Sequence, residues 1–339
     1  IDLQRDCSQF GIVATACIYA FQAPKYREEL YQKIVEESSF SKKESNKALS
    51  HNKMTDIVVV QSESFFDARE LSSNVIPEVL SEYDRCLASS EAFGKLKVPA
   101  WGANTMRSEF AFLTGLTPKQ LGLAKFYPYQ QLLKFKVPSI VGTLKSLGYH
   151  CVCIHPNASS FFMRDKFFKE LGFDEFIDGR SFVGAVREGP YVADEAVTEK
   201  IKQVLGSVDK PCFIFAITME NHGPLHLETV AEDEWRGYYK NSPSSSLDDL
   251  TVYLRHLKNA DRMVDQLCEY FSDRSHKVLF SLYGDHVPAI PKIFDEMSYK
   301  DSHSNYFIWS NVAPVDVHVK PEQRELCVED LAQYLLDLR

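Results

Sequence analysis

Near the end of the chain stands the segment Lys277-Val278-Leu279-Phe280-Ser281-Leu282-Tyr283-Gly284-Asp285-His286-Val287-Pro288, on which the interpretation of the whole sequence depends. Its first four residues form a short apolar run that is typical of a buried strand. Gly284 predicts a sharp turn, so that Asp285 and His286 follow on a loop. Ligands of open α/β sheets bind at the carboxyl ends of the strands. Oxygen and nitrogen donors together suit a borderline divalent cation such as Zn²⁺ or Mn²⁺. Taken alone, the motif is better explained as a turn in which Asp285 caps a helix and His286 is solvated.

The composition is that of a globular protein without a surface for nucleic acid. A length of 339 residues suffices for one large α/β domain or two ordinary ones. Hydrophobic residues at 45% and charged residues at 25% are typical of globular proteins. The net charge of −9 provides no basic face, so no nucleic-acid partner is expected. The longest apolar patch, residues 11–21, is shorter than the roughly 20 residues that span a bilayer, and it lacks the cationic leader of a signal peptide.

The eight cysteines are scattered along the sequence. None forms a Cys-x-x-Cys pair, so the sequence gives no sign of a structural zinc site. Cys151 and Cys153 alternate within an apolar strand and would face opposite sides of a sheet. We expect most of these thiols to be free and buried, and their number leaves the redox compartment undecided.

The first part of the chain is predicted to be an arm and linker, residues 1–54, that precedes one catalytic domain, residues 55–339. Pro24 follows the apolar patch, and the charged run from Tyr26 to Glu37 has a helical pattern. The stretch from Ser38 to Lys53 is rich in Ser, Lys and Asn and predicts an exposed linker.

The apolar residues of the arm are predicted to pack against another surface. We expect residues 9–22 to pack on the catalytic domain or at a membrane surface, because this run is apolar but too short to span a bilayer. The chain begins at Ile1 rather than at a Met, from which we expect that it was cut from a longer protein.

From residue 56 onward, apolar runs alternate with helical patterns. Predicted strands are Ile57–Val60, Cys151–Ile154, Cys212–Ile217 and Lys277–Phe280. Predicted helices are Pro138–Leu147, Asp194–Leu205, Asp248–Phe271 and Leu326–Leu338. Strands separated by helices predict an α/β fold with a central, largely parallel sheet and helices on both faces. Because Ile57–Val60 is a continuous β-branched run, it is predicted to be a central strand buried on both faces.

Three further segments place polar residues where they could join Asp285 and His286. Glu63 follows the first central strand and is either a metal ligand or an acid favoured by a helix dipole. His222, in Asn221-His222-Gly223-Pro224, follows another strand, although a loop histidine is commonly only solvated. Thr105 lies between Gly102 and a helical segment, and is either an N-cap or a nucleophile helped by the helix dipole and a metal ion.

The order of these motifs resembles the lipoteichoic-acid synthase family. The sequence has a strand followed by Glu63, a Gly loop with Thr-x-x-x-Glu-Phe, a His with a downstream Phe-Phe-x-Arg, Asn-His-Gly-Pro and Gly-Asp-His. That family comprises phosphoglycerol transferases of the alkaline phosphatase and sulfatase superfamily. The resemblance covers about residues 55–290 and reaches back to Pro24 and Tyr26. It implies an extracytoplasmic catalytic domain carried by transmembrane helices that precede this chain, in the periplasm if the cell is Gram-negative.

The resemblance assigns roles residue by residue. It implies that Thr105 is the nucleophile and that the metal ligands are Glu63, Thr105, Asp285 and His286. It implies substrate contacts from His222, Arg164, His155, Asn157 and Phe162. Two of these positions depart from the family, which often has Trp in place of Phe162 and an acid in place of Asn157. The head group is therefore less well defined by the resemblance than the metal site.

The implied reaction is transfer of glycerolphosphate from a phosphatidylglycerol-type lipid. The reaction would need one divalent ion, for which Mn²⁺ is preferred over Mg²⁺ or Zn²⁺, and would pass through a covalent phosphothreonine intermediate. The acceptor would be a cell-envelope glycan or polymer. A phosphoethanolamine transferase, which shares the threonine and one metal, is the main alternative, beside other sulfatase-fold hydrolases. A sulfatase proper is disfavoured, because the loop around Thr105 lacks Cys/Ser-x-Pro-x-Arg. A non-enzymatic binding domain is disfavoured by the complete set of ligand types.

Overall fold

A computed structural model describes residues 3–41, 54–312 and 321–339. Its strands are β1 (Thr55–Ser62), β2 (Ala92–Lys97), β3 (His150–Ile154), β4 (Glu175–Ile177), β5 (Arg187–Glu188), β6 (Tyr191–Val192), β7 (Cys212–Ile217), β8 (Lys277–Gly284), β9 (Ser304–Ser310), β10 (Glu322–Gln323) and β11 (Leu326–Cys327). Its α-helices are α1 (Leu3–Phe10), α2 (Ile12–Glu37), α3 (Ser81–Ala88), α4 (Thr105–Thr114), α5 (Pro118–Leu121), α6 (Pro128–Leu132), α7 (Ile140–Ser146), α8 (Arg164–Leu171), α9 (Asp194–Ser207), α10 (Asp248–Ser272), α11 (Pro291–Glu296) and α12 (Val328–Leu338). Most of the predicted strands and helices lie within these bounds.

The central sheet is mixed and largely parallel. Its order is β10-β2-β9-β8-β1-β7-β3-β4, and β11 also pairs with β2. All neighbours in the sheet are parallel except β9, which runs antiparallel to both β8 and β2. The short strands β5 and β6 form a separate hairpin. The predicted fold class is confirmed, whereas β2 and β9 were not predicted.

Strand β1 is central and buried on both faces, as its β-branched sequence predicts. It pairs with β7 on one side and with β8 on the other. Val58 and Val60 belong to one hydrophobic cluster, and Ile57 and Val59 belong to another. Alternation of side chains along the strand thus places half of them in each of two cores. The carboxyl ends of β1 and β8 are brought side by side, with Ser62 opposite Gly284.

The structure gives Gly284 a different reason from the one predicted. Gly284 is the last residue of β8, and its φ lies outside the left-handed region. A Cβ atom at this position would stand 1.9 Å from the carbonyl oxygen of Phe65. The glycine is therefore needed because the turn after β1 approaches β8 closely, and the chain bends at the next two residues, Asp285 and His286.

The arm contains one long helix rather than a patch followed by a separate helix. Pro24 lies inside α2. The second half of α2 packs against the domain: Leu30 and Ile34 are buried in one of its cores, and the ring of Tyr31 stacks on Phe135 at 4.7 Å.

The first half of α2 is more exposed. Ile12 and Val13 are 78% and 77% exposed. The predicted linker falls largely on residues 42–53, outside the described residues. No helix in the described ranges has the length and apolar character required to cross a membrane.

Candidate active site

Three buried metal-ligand side chains meet at the carboxyl ends of β1 and β8. Glu63 follows β1 directly, and Asp285 and His286 follow β8. One ligand atom from each of the three lies within 4.8 Å of the other two. Their proximity follows from the register that places Ser62 opposite Gly284, because the next residue of each strand then projects from the same edge. The structure thus brings together three of the four predicted metal ligands.

The turn after β1 is held in place by Ser64, which has a left-handed φ of 54°. Its backbone N–H donates to Asp285 Oδ1 at 2.9 Å, and its hydroxyl donates to Glu63 Oε1 at 3.0 Å. The hydroxyl of Tyr253, on α10, donates to the Ser64 carbonyl at 2.7 Å. Such strained backbone persists only where its surroundings impose it, and here those surroundings fix both carboxylates.

The imidazole of His286 presents one nitrogen to the two carboxylates. Its Nδ1 lies 2.9 Å from the carbonyl oxygen of Val287 and donates its hydrogen there. Nε2 lies 3.3 Å from Asp285 Oδ2 and 3.6 Å from Glu63 Oε1. A metal-binding histidine has this arrangement, in which a carbonyl holds the other nitrogen and fixes the tautomer.

The charge of the cluster fits a cation. Asp285 Oδ2 is buried and has no hydrogen-bond partner in the described structure. Burial, and then the carboxylate of Asp285, raise the pKa of Glu63 to about 7. Burial lowers the pKa of His286, but Asp285 and Glu63 outweigh this effect and leave it raised. Two adjacent buried carboxylates are costly without a neutralising charge, and a divalent cation among these donors would supply one.

Thr105 is the first residue of α4 and faces the same space. It follows Asn104, whose φ of 69° is left-handed, and its side chain is only 9% exposed. One turn further on, the hydroxyl of Ser108 donates to the Asp285 carbonyl at 2.5 Å. The N-terminal turn of α4 is thereby attached to the segment that carries Asp285 and His286. A helix N-terminus favours an anionic group such as a phosphate.

Arg164 belongs to a second, separate buried cluster. Its Nε and Nη2 donate to the carboxylate of Glu109 at 2.8–3.1 Å, and the two side chains are 2% and 0% exposed. The Tyr129 hydroxyl donates to the same carboxylate. Arg164 Nη1 lies 3.1 Å from His155 Nε2, and His155 Nδ1 donates to the Ile217 carbonyl at 3.2 Å. Burial, and then the charge of Arg164, lower the pKa of His155 well below its usual value. This histidine is therefore neutral.

The remaining predicted substrate residues lie on surrounding loops. His222 is exposed, and its Nδ1 lies 2.6 Å from the Gly223 carbonyl and 3.1 Å from the hydroxyl of Tyr191. Asn157 caps its own turn through Ala158 N–H at 2.7 Å. Phe162 has a φ of 56°, and its ring centroid lies 5.2 Å from the Arg164 guanidinium carbon.

Eight of the nine predicted site residues line one cavity of about 490 Å³. They are Glu63, Thr105, His155, Asn157, Phe162, Arg164, His222 and His286. The ninth, Asp285, is completely buried beside them. Of the five described non-glycine residues with positive φ, three line this cavity, Ser64, Asn104 and Phe162, and a fourth, Met163, directly follows Phe162. Such backbone is concentrated at functional sites, so the cavity is the candidate active site.

Sequence analysis missed several residues of this site. Ser64 fixes both carboxylates, and Asn221 lines the cavity with a buried Oδ1 that has no partner in the described structure. Asn221 belongs to the Asn-His-Gly-Pro motif, which was a usable signal. Tyr191 and Asp249 also line the cavity, but neither lies in a motif that would reveal it. Glu109 was noted only as part of a pattern, and no role was assigned to it.

The matching family model identifies the class of protein. A model described as Sulfatase matches residues 55–338. The chain therefore belongs to the sulfatase family within the alkaline phosphatase superfamily, which confirms the resemblance inferred from the motifs. Enzymes of this fold generally depend on a divalent metal ion, and the cluster of Glu63, Asp285 and His286 is a possible site for one.

Particular relatives share the sequence or the fold. The capsular polysaccharide biosynthesis protein RkpI of Rhizobium meliloti is 30% identical over 266 residues, covering 77% of this chain and 46% of RkpI. The phosphoglycerol transferase GacH of Streptococcus pyogenes, solved with sn-glycerol-1-phosphate, has a TM-score of 0.66 at 22% identity and covers 93% of this chain and 81% of that one. The lipoteichoic acid synthase LtaP of Listeria monocytogenes has a TM-score of 0.65 at 19% identity, covering 91% and 77%.

Two facts limit what these similarities show about the function of this chain. Phosphoethanolamine transferases are also among the similar structures. The chain spans less than half the length of the curated relatives it matches. The comparisons show a sulfatase-like domain with phosphotransferases among its structural neighbours. They do not define which head group is transferred.

Proposed function

We propose that this chain is the catalytic domain of a metal-dependent phosphoglycerol transferase of the cell envelope. The observation that carries the proposal is that Thr105, at a helix N-terminus, lines one cavity with Glu63 and His286. His286 Nε2 in turn lies 3.3 Å from the Asp285 oxygen that has no hydrogen-bond partner in the described structure. A nucleophile, a cation site and an anion-binding helix end are what transfer of a phosphoryl group requires.

The residues that would hold one divalent ion are Glu63, Thr105, Asp285 and His286. Three oxygen donors and one imidazole nitrogen fit Mn²⁺ or Mg²⁺, and also Zn²⁺; we favour Mn²⁺. When bound, the ion supplies positive charge that lowers the pKa of the threonine hydroxyl and offsets charge on the phosphoryl oxygens. Ser64 and Val287 hold the carboxylates and His286 ready for it.

The first half of the reaction forms a phosphothreonine. Thr105 Oγ attacks the phosphorus of a phosphatidylglycerol-type lipid, the new oxygen–phosphorus bond forms, and the bond to the diacylglycerol oxygen breaks. The hydroxyl proton of Thr105 ends on that leaving oxygen. His222, whose Nδ1–H is held by Gly223, presents Nε2 to the leaving group and carries the proton.

The second half transfers glycerolphosphate to an acceptor hydroxyl of a glycan or polymer. The acceptor oxygen attacks the phosphothreonine, and the Thr105 oxygen is released and regains a proton. Arg164 keeps one N–H on each of its two terminal nitrogens beyond its contacts with Glu109 and His155, and these bind the phosphoryl oxygens. Phe162, which packs over the guanidinium, and Asn157 complete the glycerol pocket.

One observation is compatible with a second head group, ethanolamine. Asp249 is the only carboxylate that lines the cavity besides Glu63, within the described residues. A carboxylate there would pair with the ammonium of ethanolamine, and it would equally accept a hydrogen bond from a glycerol hydroxyl. An experiment is therefore needed to distinguish phosphatidylglycerol from phosphatidylethanolamine as the donor lipid.

The domain arrangement and location are part of the proposal. Residues 55–339 form the catalytic domain, and residues 1–54 form the arm that connects it to the extracytoplasmic face of a bacterial membrane. The exposed apolar residues Ile12 and Val13 at the far end of α2 support this placement, because a membrane surface would cover them.

The test is mass spectrometry of the intact protein after incubation with Mn²⁺ and either phosphatidylglycerol or phosphatidylethanolamine. We expect a glycerolphosphoryl adduct on Thr105 from the first lipid, and none in Thr105→Ala. An ethanolaminephosphoryl adduct from the second lipid alone would replace the proposed head group and keep the mechanism. No adduct with either lipid would contradict the proposed function.

A further inference from the structure

Two cysteines far apart in sequence lie with their sulfur atoms 2.8 Å apart. Cys86 is on α3 and Cys268 is on α10, separated by 182 positions. Both are buried, at 3% and 6% exposure, within one hydrophobic core. A disulfide has its sulfurs about 2.0 Å apart, so a movement of under about 1 Å would join these two.

Hydrogen bonds and an ion pair join α3 to α10 next to the two cysteines. Asp261 of α10 accepts the backbone N–H groups of Glu82 at 3.1 Å and Tyr83 at 2.7 Å. One turn on, Asp265 pairs with Arg85. The two cysteines form the next contact in this row between α3 and α10. The helices are therefore held in register at the point where a cross-link would form.

The pair has no other evident use. Within the described residues, the group that could hold a metal ion is the one formed by Glu63, Asp285 and His286, so the two sulfurs are not part of a metal site. They do not line the active-site cavity. All eight cysteines lie in the described ranges, and the other six form no sulfur–sulfur hydrogen bond there. A thiol–thiol hydrogen bond is weak, whereas a disulfide that closes a long loop stabilises strongly.

We propose that Cys86 and Cys268 form a structural disulfide when the chain folds in an oxidising compartment. The oxidant is a small or protein disulfide of the thiol-exchange class. The thiolate of one cysteine attacks it to give a mixed disulfide and a free thiol. The second thiolate then attacks the protein sulfur of that mixed disulfide, which forms the cross-link and releases the second thiol. The two protein thiols lose two electrons and two protons, and the oxidant becomes two thiols.

The exchange takes place before α3 closes on α10. In the folded chain the neighbouring Cys86 thiol and burial raise the pKa of Cys268, which leaves little thiolate, and the core excludes the oxidant. For the same reason the finished bond is protected from reductants. Only the compartment in which the bond forms rests on the proposed extracytoplasmic location.

The experiment uses chain exported to an oxidising periplasm and purified without reductant. After unfolding, an alkylating agent should label six cysteines before reduction and all eight after it. Mass spectrometry of the unreduced digest should show the peptides of Cys86 and Cys268 joined. Eight labelled cysteines before reduction, or a cross-link that leaves out either residue, would overturn the proposal, whatever the activity of the protein.

Variants separate the cross-link from simple packing. Wild-type chain purified without reductant should melt about 5–10 °C higher than the same chain after it has been unfolded, reduced and refolded in the presence of reductant. Cys86→Ala and Cys268→Ala should each lose this dependence on reductant. The matched control is Cys212→Ala, which removes a buried cysteine of β7 and should lower Tm equally under both conditions. A dependence on reductant that survives in Cys86→Ala would also contradict the proposal.

Discussion

Two buried clusters of charge border the same cavity, and they are completed in different ways. In the first, the carboxylate of Glu109 accepts hydrogen bonds from Arg164 and Tyr129, and Arg164 also contacts His155. Each charge there has a protein partner. The cluster of Glu63, Asp285 and His286, which we call the metal cluster, has two carboxylates, and one buried oxygen of Asp285 has no hydrogen-bond partner in the described structure.

The difference separates a cluster whose charges neutralise each other from one that needs a cation. A buried ion pair with its hydrogen bonds satisfied needs no ligand to be stable, whereas adjacent buried carboxylates need a cation. Helix α4 connects the two clusters, because it carries Thr105 at its first residue and Glu109 one turn later. The self-contained cluster thus anchors the helix that presents the proposed nucleophile to the metal cluster.

Removal of the Thr105 hydroxyl, which lines the cavity that both clusters border, should have the largest effect. Thr105→Ala should lower head-group release from phosphatidylglycerol at least about 10³-fold, because no other group can form the covalent intermediate. Its stability cost should be at most about 1 kcal/mol, since the residue contributes no more than a helix-end hydrogen bond. The matched control is Thr114→Ala at the other end of α4, which should keep its activity. Comparable activity in Thr105→Ala would refute the nucleophile.

Breaking the self-contained cluster should mainly destabilise the fold. Glu109→Gln leaves the buried guanidinium of Arg164 without its carboxylate, which should lower the free energy of unfolding by about 3–5 kcal/mol. The double variant Glu109→Gln/Arg164→Met should cost less than Glu109→Gln alone, because it removes the unpaired charge. Denaturant unfolding in the absence of metal measures both. An equal or greater loss of unfolding free energy in the double variant would show that the charges of Glu109 and Arg164 do not neutralise each other.

The same kind of change in the metal cluster should behave differently. Asp285→Asn keeps an oxygen for the Ser64 N–H and relieves repulsion, so the metal-free variant should be within about 1 kcal/mol of the parent. At 100 times its Kd, Mn²⁺ should stabilise the parent by about 2.7 kcal/mol and the variant hardly at all. Asp261→Asn, a buried aspartate distant from the cavity, is the control and should respond to Mn²⁺ like the parent. Full stabilisation of Asp285→Asn would argue against the cluster as the metal site.

The smallest expected effect concerns the head group. Asp249→Asn should change the ratio of phosphatidylglycerol to phosphatidylethanolamine use by less than about threefold if glycerol is the natural group, since an amide oxygen still accepts a hydrogen bond. A tenfold loss confined to phosphatidylethanolamine would favour the alternative transferase. The neighbouring Asp248→Asn, which does not line the cavity, controls for a general change of charge.

Much of the sheet and most of the proposed metal cluster followed from the sequence. Strands such as Cys212–Ile217 are continuous apolar runs bounded by polar residues, and this local signal defines them well. Parallel neighbours end at one edge, so residues directly after two such strands come together without further information. This reasoning placed Glu63 near Asp285 and His286 as a candidate, and the family resemblance then implied these three, with Thr105, as the ligand set.

Contacts that depend on distant packing were not predictable in this way. The pairing of Arg164 with Glu109 joins two helices 55 residues apart, and that of Cys86 with Cys268 spans 182. Neither has a local pattern. The half-exposed strand β2 lacks the apolar run that marks the central strands. The reason for Gly284, the approach of the Phe65 carbonyl, could not be predicted because Phe65 lies in the turn that follows the neighbouring strand β1.

The central claim is that the metal cluster holds one divalent ion within reach of Thr105. The most direct measurement is anomalous X-ray diffraction at the manganese edge from crystals grown with Mn²⁺. We predict one peak, bounded by the side-chain donors of Glu63, Asp285 and His286 and by Thr105 Oγ. A peak elsewhere, or none at this cluster, would contradict the account.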